Sequence, residues 1–97
     1  MVHVIVATWV AKPGEADHIE EQLAAIAPEV RAEEKTLAYL PQRSTENPDE
    51  FVMYERYTDP SGFEEHCSSD LFRRVVTEDL APRLLSEDVR TYTSFAD

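Results

Sequence analysis

The chain has 97 residues, nine of them Lys or Arg and twenty Asp or Glu, giving a net charge of −11. A length of 97 residues suits one domain, read here as residues 1–97, with a modest core and little room for a large enclosed active site. The charge repels nucleic acid and anionic membrane surfaces, so neither is expected as a partner.

The opening "MVHVIVATWVAKPGE" shows no basic leader or small-residue cleavage signature, and no apolar run reaches membrane-spanning length. A cytoplasmic protein is the expectation. Cys67 is the single cysteine, which excludes an internal disulfide and gives no support to a cysteine-based metal cluster.

Val2 to Ala11 is apolar at nearly every position, β-branched and with one tryptophan, so it reads as a strand buried on both faces and central in its sheet. Lys12-Pro13-Gly14 ends it. Ala16, Ile19, Leu23, Ile26, Ala27 and Val30 then recur at spacings of three and four, the mark of an amphipathic helix with an acidic outer face. Pro28 lacks a backbone donor and crowds the preceding turn, which predicts a kink or restart there.

Thr36 to Arg43 and Glu50 to Thr58 read as two antiparallel strands joined by the turn-forming "STENPD". Asp59 stands where an N-cap belongs, with Pro60 at the first helical position. Ser68-Ser69-Asp70 offers a fresh cap, and Leu71, Phe72, Val75, Val76 and Leu80 make another apolar stripe that ends near Pro82. The last strand is predicted over Val89 to Phe95. The order β-α-β-β-α-β is the ferredoxin-like α+β arrangement, an antiparallel sheet with both helices on one face. The first and third strands are apolar on both sides, so the second face of the sheet needs a cover. A second copy of the chain supplies it most simply, which predicts a homodimer through the sheet face.

Glycine occurs only at Gly14 and Gly62, so no glycine-rich phosphate loop is present and a nucleotide cofactor is not expected. His3, His18 and His66 fall on three different elements with no HxxxH or HExxH spacing, so no metal is expected either. Neither Ser68 nor Ser69 sits in a G-x-S-x-G elbow.

Phe63, His66 and Cys67 lie at i, i+3 and i+4 on the second helix, so His66 shares its apolar face and points inward. It is either a core residue satisfied by the backbone or a neutral imidazole able to act as a base. Glu55 lies in an otherwise apolar strand, where an unpaired charge is costly, so it needs a partner such as His66, Arg56, Arg43 or a tyrosine hydroxyl. A structural ion pair and a catalytic pair both fit. Tyr39, Tyr54 and Tyr57 can stack on a flat ligand or simply fill core positions, and Trp9 adds a rigid wall.

The segments "VIVATWVAKPGE", "RAEEKTLAYLPQRSTENPDEFVMYERYTD" and "HCSSDLFRRV" resemble the antibiotic biosynthesis monooxygenase family, small dimeric α+β barrels that include quinol monooxygenases. The most specific pieces are the strand with Phe51, Val52, Glu55, Arg56 and Tyr57 and the helix with His66, Ser69 and Phe72. The resemblance implies a ferredoxin-like subunit paired through its sheet, a pocket in each subunit, and oxygenation by O₂ of a small electron-rich aromatic (a phenol, quinol or anthrone) with no cofactor. It implies His66 as base, Glu55 as its orienting or charge-balancing partner and Tyr54 as a phenolic donor. Trp9, Tyr39, Tyr57, Phe63 and Phe72 would line the pocket.

The sequence departs from the family at Tyr57, where many members carry tryptophan, and at Glu33-Glu34-Lys35-Thr36, where they often read E-P-G-C. These changes alter a pocket wall and a turn. The haem-degrading branch of the fold is discounted, because its helical positions correspond here to His66 and Val76. Two other functions fit the same residues: proton transfer on a small carbonyl compound, as in an isomerase, and a dimeric module that binds a hydrophobic metabolite without turnover.

Overall fold

The computed structural model describes residues 2–96. Its elements run β1 (His3–Ala11), α1 (Ala16–Arg31), β2 (Thr36–Arg43), β3 (Glu50–Tyr57), α2 (Pro60–Ser68), a π-helix (Phe72–Leu80), a 3₁₀ turn (Ala81–Arg83) and β4 (Leu84–Thr93). The four strands form one antiparallel sheet in the order β2-β3-β1-β4. The helices lie on one face, so the fold is the ferredoxin-like α+β arrangement.

β1 is internal, flanked by β3 and β4, as its apolar sequence predicts. Its alternation aims Ile5, Ala7, Trp9 and Ala11 at the helices. On β3 the matching residues are Phe51, Met53, Glu55 and Tyr57, all buried. The helices answer with Ile19, Leu23, Ile26, Ala27 and Val30 from α1 and with Val76 and Leu80 from the π-helix. That single layer of apolar contact is the core.

The β2–β3 hairpin closes as its turn residues require. The Ser44 hydroxyl accepts from the amides of Glu46 and Asn47, and the Asn47 side chain accepts from the Asp49 amide. α2 begins as expected: the Asp59 side chain accepts from the Ser61 amide at 2.8 Å, with Pro60 following. Ser69 adopts extended backbone and ends α2. Its hydroxyl donates to the His66 carbonyl at 2.8 Å and accepts from the Phe72 amide at 3.1 Å, joining the end of one helix to the start of the next.

Three expectations need correction. α1 runs through Pro28 to Arg31 without restarting, because the proline falls in the last turn and buried Ala27 and Val30 hold that turn on the sheet. The segment over Phe72–Leu80 is helical but wound as a π-helix. β4 spans Leu84–Thr93 and not Val89 to Phe95, since pairing with β1 from Ala11 back to His3 extends it over a polar stretch with no alternation of its own.

Candidate functional site

The space between the sheet and the second half of the chain holds a cavity of about 60 Å³. β1 gives it Ala7 and Trp9, β2 Tyr39, and β3 Met53 and Glu55; α2 adds Phe63 and His66, and the π-helix adds Phe72 and Val76. Glu87 and Val89 of β4 close the rim. Its wall is therefore aromatic and aliphatic with three polar side chains besides Tyr39, the usual make-up of a small-molecule site.

His66 is 4% exposed. Its imidazole meets Phe72 edge-on with ring centroids 5.2 Å apart, and Tyr39, Tyr57 and Phe63 lie within 6.0 to 6.5 Å. Nδ1 lies 2.9 Å from Glu33 Oε1. The carboxylate that reaches the imidazole is thus Glu33, from the turn between α1 and β2, and not Glu55 as the sequence led us to expect.

Glu55 has a different partner. The Tyr57 hydroxyl donates to Glu55 Oε1 at 2.6 Å, inside the covered face of the sheet. Burial pushes the Glu55 carboxyl up to about 7; the bond from Tyr57 opposes the rise and the charge of Glu33 adds to it. At neutral pH the group divides between its acid and its anion, so it can donate or accept a proton. Burial, with the nearby charges of Glu55 and Glu33, also drives the Tyr39 hydroxyl well above its ordinary range, so Tyr39 stays a hydrogen-bond donor. Cys67, half-buried beside His66, is pushed up to about 11 by burial first and then by Glu55 and Glu33, which leaves it an unreactive thiol.

Of the residues singled out from sequence, the structure places His66, Glu55, Trp9, Tyr39, Phe63 and Phe72 around one cavity. Tyr57 is fully buried, does not line it, and is hydrogen-bonded to Glu55. Tyr54 points to the opposite face of the sheet, where its hydroxyl accepts from Arg56 Nη1 at 3.0 Å. Strict alternation along β3 forces this result: with Glu55 and Tyr57 under the helices, Tyr54 and Arg56 must face away. Reading the sequence missed Glu33, Met53, Val76 and the two β4 residues. Glu33 stands in the charge run "EEK" and looks solvated until α2 is folded against it.

Among the described residues no cluster of three or more His, Cys, Asp or Glu is placed to hold a metal ion, and no helix is long and apolar enough to cross a membrane.

An antiparallel sheet with helices on one face and an aromatic cavity beneath them defines a small ferredoxin-like α+β domain. Residues 1–78 match the model of the family described as antibiotic biosynthesis monooxygenase, and the chain belongs to that family. Its structure is similar to that of a protein from Pseudomonas aeruginosa, with a TM-score of 0.90 and 25% identity, covering 98% of this chain and 95% of that one. A protein from Shewanella oneidensis superposes with a TM-score of 0.87 at 26% identity, over 94% of this chain and 88% of that one. A third structure, described as an antibiotic biosynthesis monooxygenase, gives 0.88 at 24% identity over 99% and 100% of the two chains, a likeness of fold. No curated protein matches the chain.

Proposed function

We propose that the protein is a cofactor-independent monooxygenase for a small electron-rich aromatic of the phenol, quinol or anthrone type, with His66 as its base. The observation that carries this reading is the setting of His66: an imidazole walled by aromatic rings, facing an apolar cavity, with a carboxylate on its other side. Such a ring can take a proton from a ligand hydroxyl where water is scarce.

The resulting anion is electron-rich enough to pass an electron to O₂ itself, so the ligand does the work that a redox cofactor does elsewhere. One oxygen atom enters the ring carbon framework and the other leaves as water, with both protons and both electrons drawn from the ligand. Tyr39 and the protonated form of Glu55 supply hydrogen bonds as charge moves onto oxygen. Trp9, Phe63 and Phe72 hold the flat ligand. The open face of the sheet carries Leu40, Val52, Tyr54, Val6 and Val10, and the reading includes a homodimer formed through it.

The test is oxygen uptake by metal-stripped protein with naphthohydroquinones and anthrones, autoxidation subtracted. Trp9, the only tryptophan, reports ligand binding by its fluorescence. Saturable uptake that falls by about 10²-fold or more in His66→Ala, with binding retained, supports the reading. Uptake equal in variant and wild type overturns the role of His66. Fluorescence quenching without oxygen consumption points instead to a binding module.

A further inference from the structure

His66 lines two cavities and is the residue they have in common. On one side lies the aromatic cavity described above. On the other lies an outer cavity of about 210 Å³, walled by Glu33, Glu34, Lys35, Thr36, Glu65 and Ser69, with Gly62 at its base. Aromatic and aliphatic side chains make up most of the inner wall, charged and hydroxyl-bearing residues most of the outer one, and His66 belongs to both.

Glu33 lines only the outer cavity and holds Nδ1 from there. Its backbone is fixed in both directions, its amide donating to the Val30 carbonyl at 3.1 Å and its carbonyl accepting from the Thr36 amide at 3.0 Å. His66 is fixed as well, since its carbonyl accepts from both the amide and the hydroxyl of Ser69. With Nδ1 committed to the outer side, Nε2 is the nitrogen left for the inner cavity, and no described residue bonds it.

We propose that Glu33 is the positioning residue of this site: it holds the His66 proton on Nδ1, turns the Nε2 lone pair to the ligand, and offsets the imidazolium charge once Nε2 is protonated. The proposal rests on the reading of His66 as a base. In the proton step the acidic ligand bond, O–H in a phenol or quinol and C–H in an anthrone, breaks and an Nε2–H bond forms, leaving a ligand anion and an imidazolium whose Nδ1–H stays bonded to the Glu33 carboxylate. That proton returns from Nε2 to the oxygen that departs as water, so His66 ends as it began. The two carboxyl groups divide the labour by solvent access. Glu33, with its side chain 26% exposed to the outer cavity, supplies charge. Glu55, buried at the inner one, donates a hydrogen bond in its acid form and keeps its proton. The carboxylate of a Ser-His-Asp triad acts on its imidazole by the same physical logic.

The experiment is long-range ¹⁵N NMR of histidine-labelled protein, with kinetics of Glu33→Gln and Glu33→Ala beside the wild type. The Nδ1–H tautomer at His66 in wild type, mixed tautomers in Glu33→Ala, and a fall in kcat of about tenfold or more in both variants, with KM changed by less than roughly threefold, are expected. Glutamine keeps the shape and an acceptor oxygen but loses the charge, so it decides the matter if the alanine variant does not fold. An Nε2–H tautomer in wild type overturns the proposal, and so does an unchanged kcat in Glu33→Gln. The spectra do not depend on turnover. If no hydroxyaromatic is consumed, the oxygenase reading falls, while an Nδ1–H signal scrambled by Glu33→Ala still upholds Glu33 as the positioning residue.

Discussion

The Tyr57 hydroxyl donates to Glu55 Oε1 at 2.6 Å between two residues of one strand, both turned under the helices. This bond satisfies the carboxyl but does not cancel the cost of burying it, and the group is pushed up to about 7 from an ordinary value of 4.5. Between those two values the folded protein holds a proton that the unfolded chain has lost. Stability from this group is therefore highest at acid pH and falls as pH rises toward 7, the reverse of a salt-bridged carboxylate. Glu55→Gln keeps an oxygen for Tyr57 and removes the titration. Relative to wild type, its unfolding free energy is expected to rise by about 3 kcal/mol between pH 4.5 and pH 8, measured by urea denaturation at fixed protomer concentration. A difference that stays flat with pH shows that Glu55 does not titrate in this range.

Gly62 lets α2 settle against both β3 and the turn that carries Glu33. A Cβ there meets Lys35 Cβ, Tyr57 Cβ and Tyr57 Cδ1, each at 3.0 Å. Two of these atoms are Cβ atoms tied to backbone, which cannot swing away as a flexible side-chain end can. Replacing glycine by alanine inside a helix ordinarily gains up to about 1 kcal/mol, but overpacking costs about 1–3 kcal/mol and wins here. Gly62→Ala is expected to lower Tm and to loosen the contact of Glu33 with His66, seen as a changed His66 tautomer signal. A raised Tm shows that the approach is looser than the structure places it.

The open face of the sheet gives the third prediction. Val52 sits in the middle of it, opposite Thr8 on β1 and Gln42 on β2, with exposed Leu40 on the neighbouring strand opposite Tyr54. A lysine at that place in a sheet-to-sheet interface brings an unpaired charge into apolar contact. Val52→Lys is expected to weaken association by more than about tenfold, read by sedimentation, while circular dichroism keeps the wild-type shape. If the wild type is monomeric at every concentration tested, some other cover must be sought for this face.

Much of the fold was legible because its signals are local. β1 declares itself by composition, the hairpin by Asn47 and Pro48, and the start of α2 by Asp59 and Pro60. What was not legible depended on distant partners. β4 begins at Leu84 because β1 offers it hydrogen bonds there, which nothing in "LLSED" announces. The choice between Tyr54 and Tyr57 turned on register, where one step exchanges the two faces. Glu33 and His66 lie 33 residues apart and meet only when α2 packs on the turn after α1. The inward aim of His66 was readable from helical spacing; the identity of its carboxylate was not.

Val76 and Phe72, both from the π-helix, wall the cavity opposite β1 and β3. At about 60 Å³ the cavity is tighter than a two-ring aromatic requires, so the wall must yield when such a ligand enters. Val76 is 6% exposed, and its truncation to alanine removes apolar contact while enlarging the space. Val76→Ala is expected to cost about 1–3 kcal/mol of stability and to tighten binding of a two-ring hydroquinone relative to a one-ring one, followed by Trp9 fluorescence. Both effects come from one change in volume, so they should appear together. A loss of stability without any change in ligand preference means that the ligand does not occupy the space beside Val76, and the cavity under the helices is then core and not site.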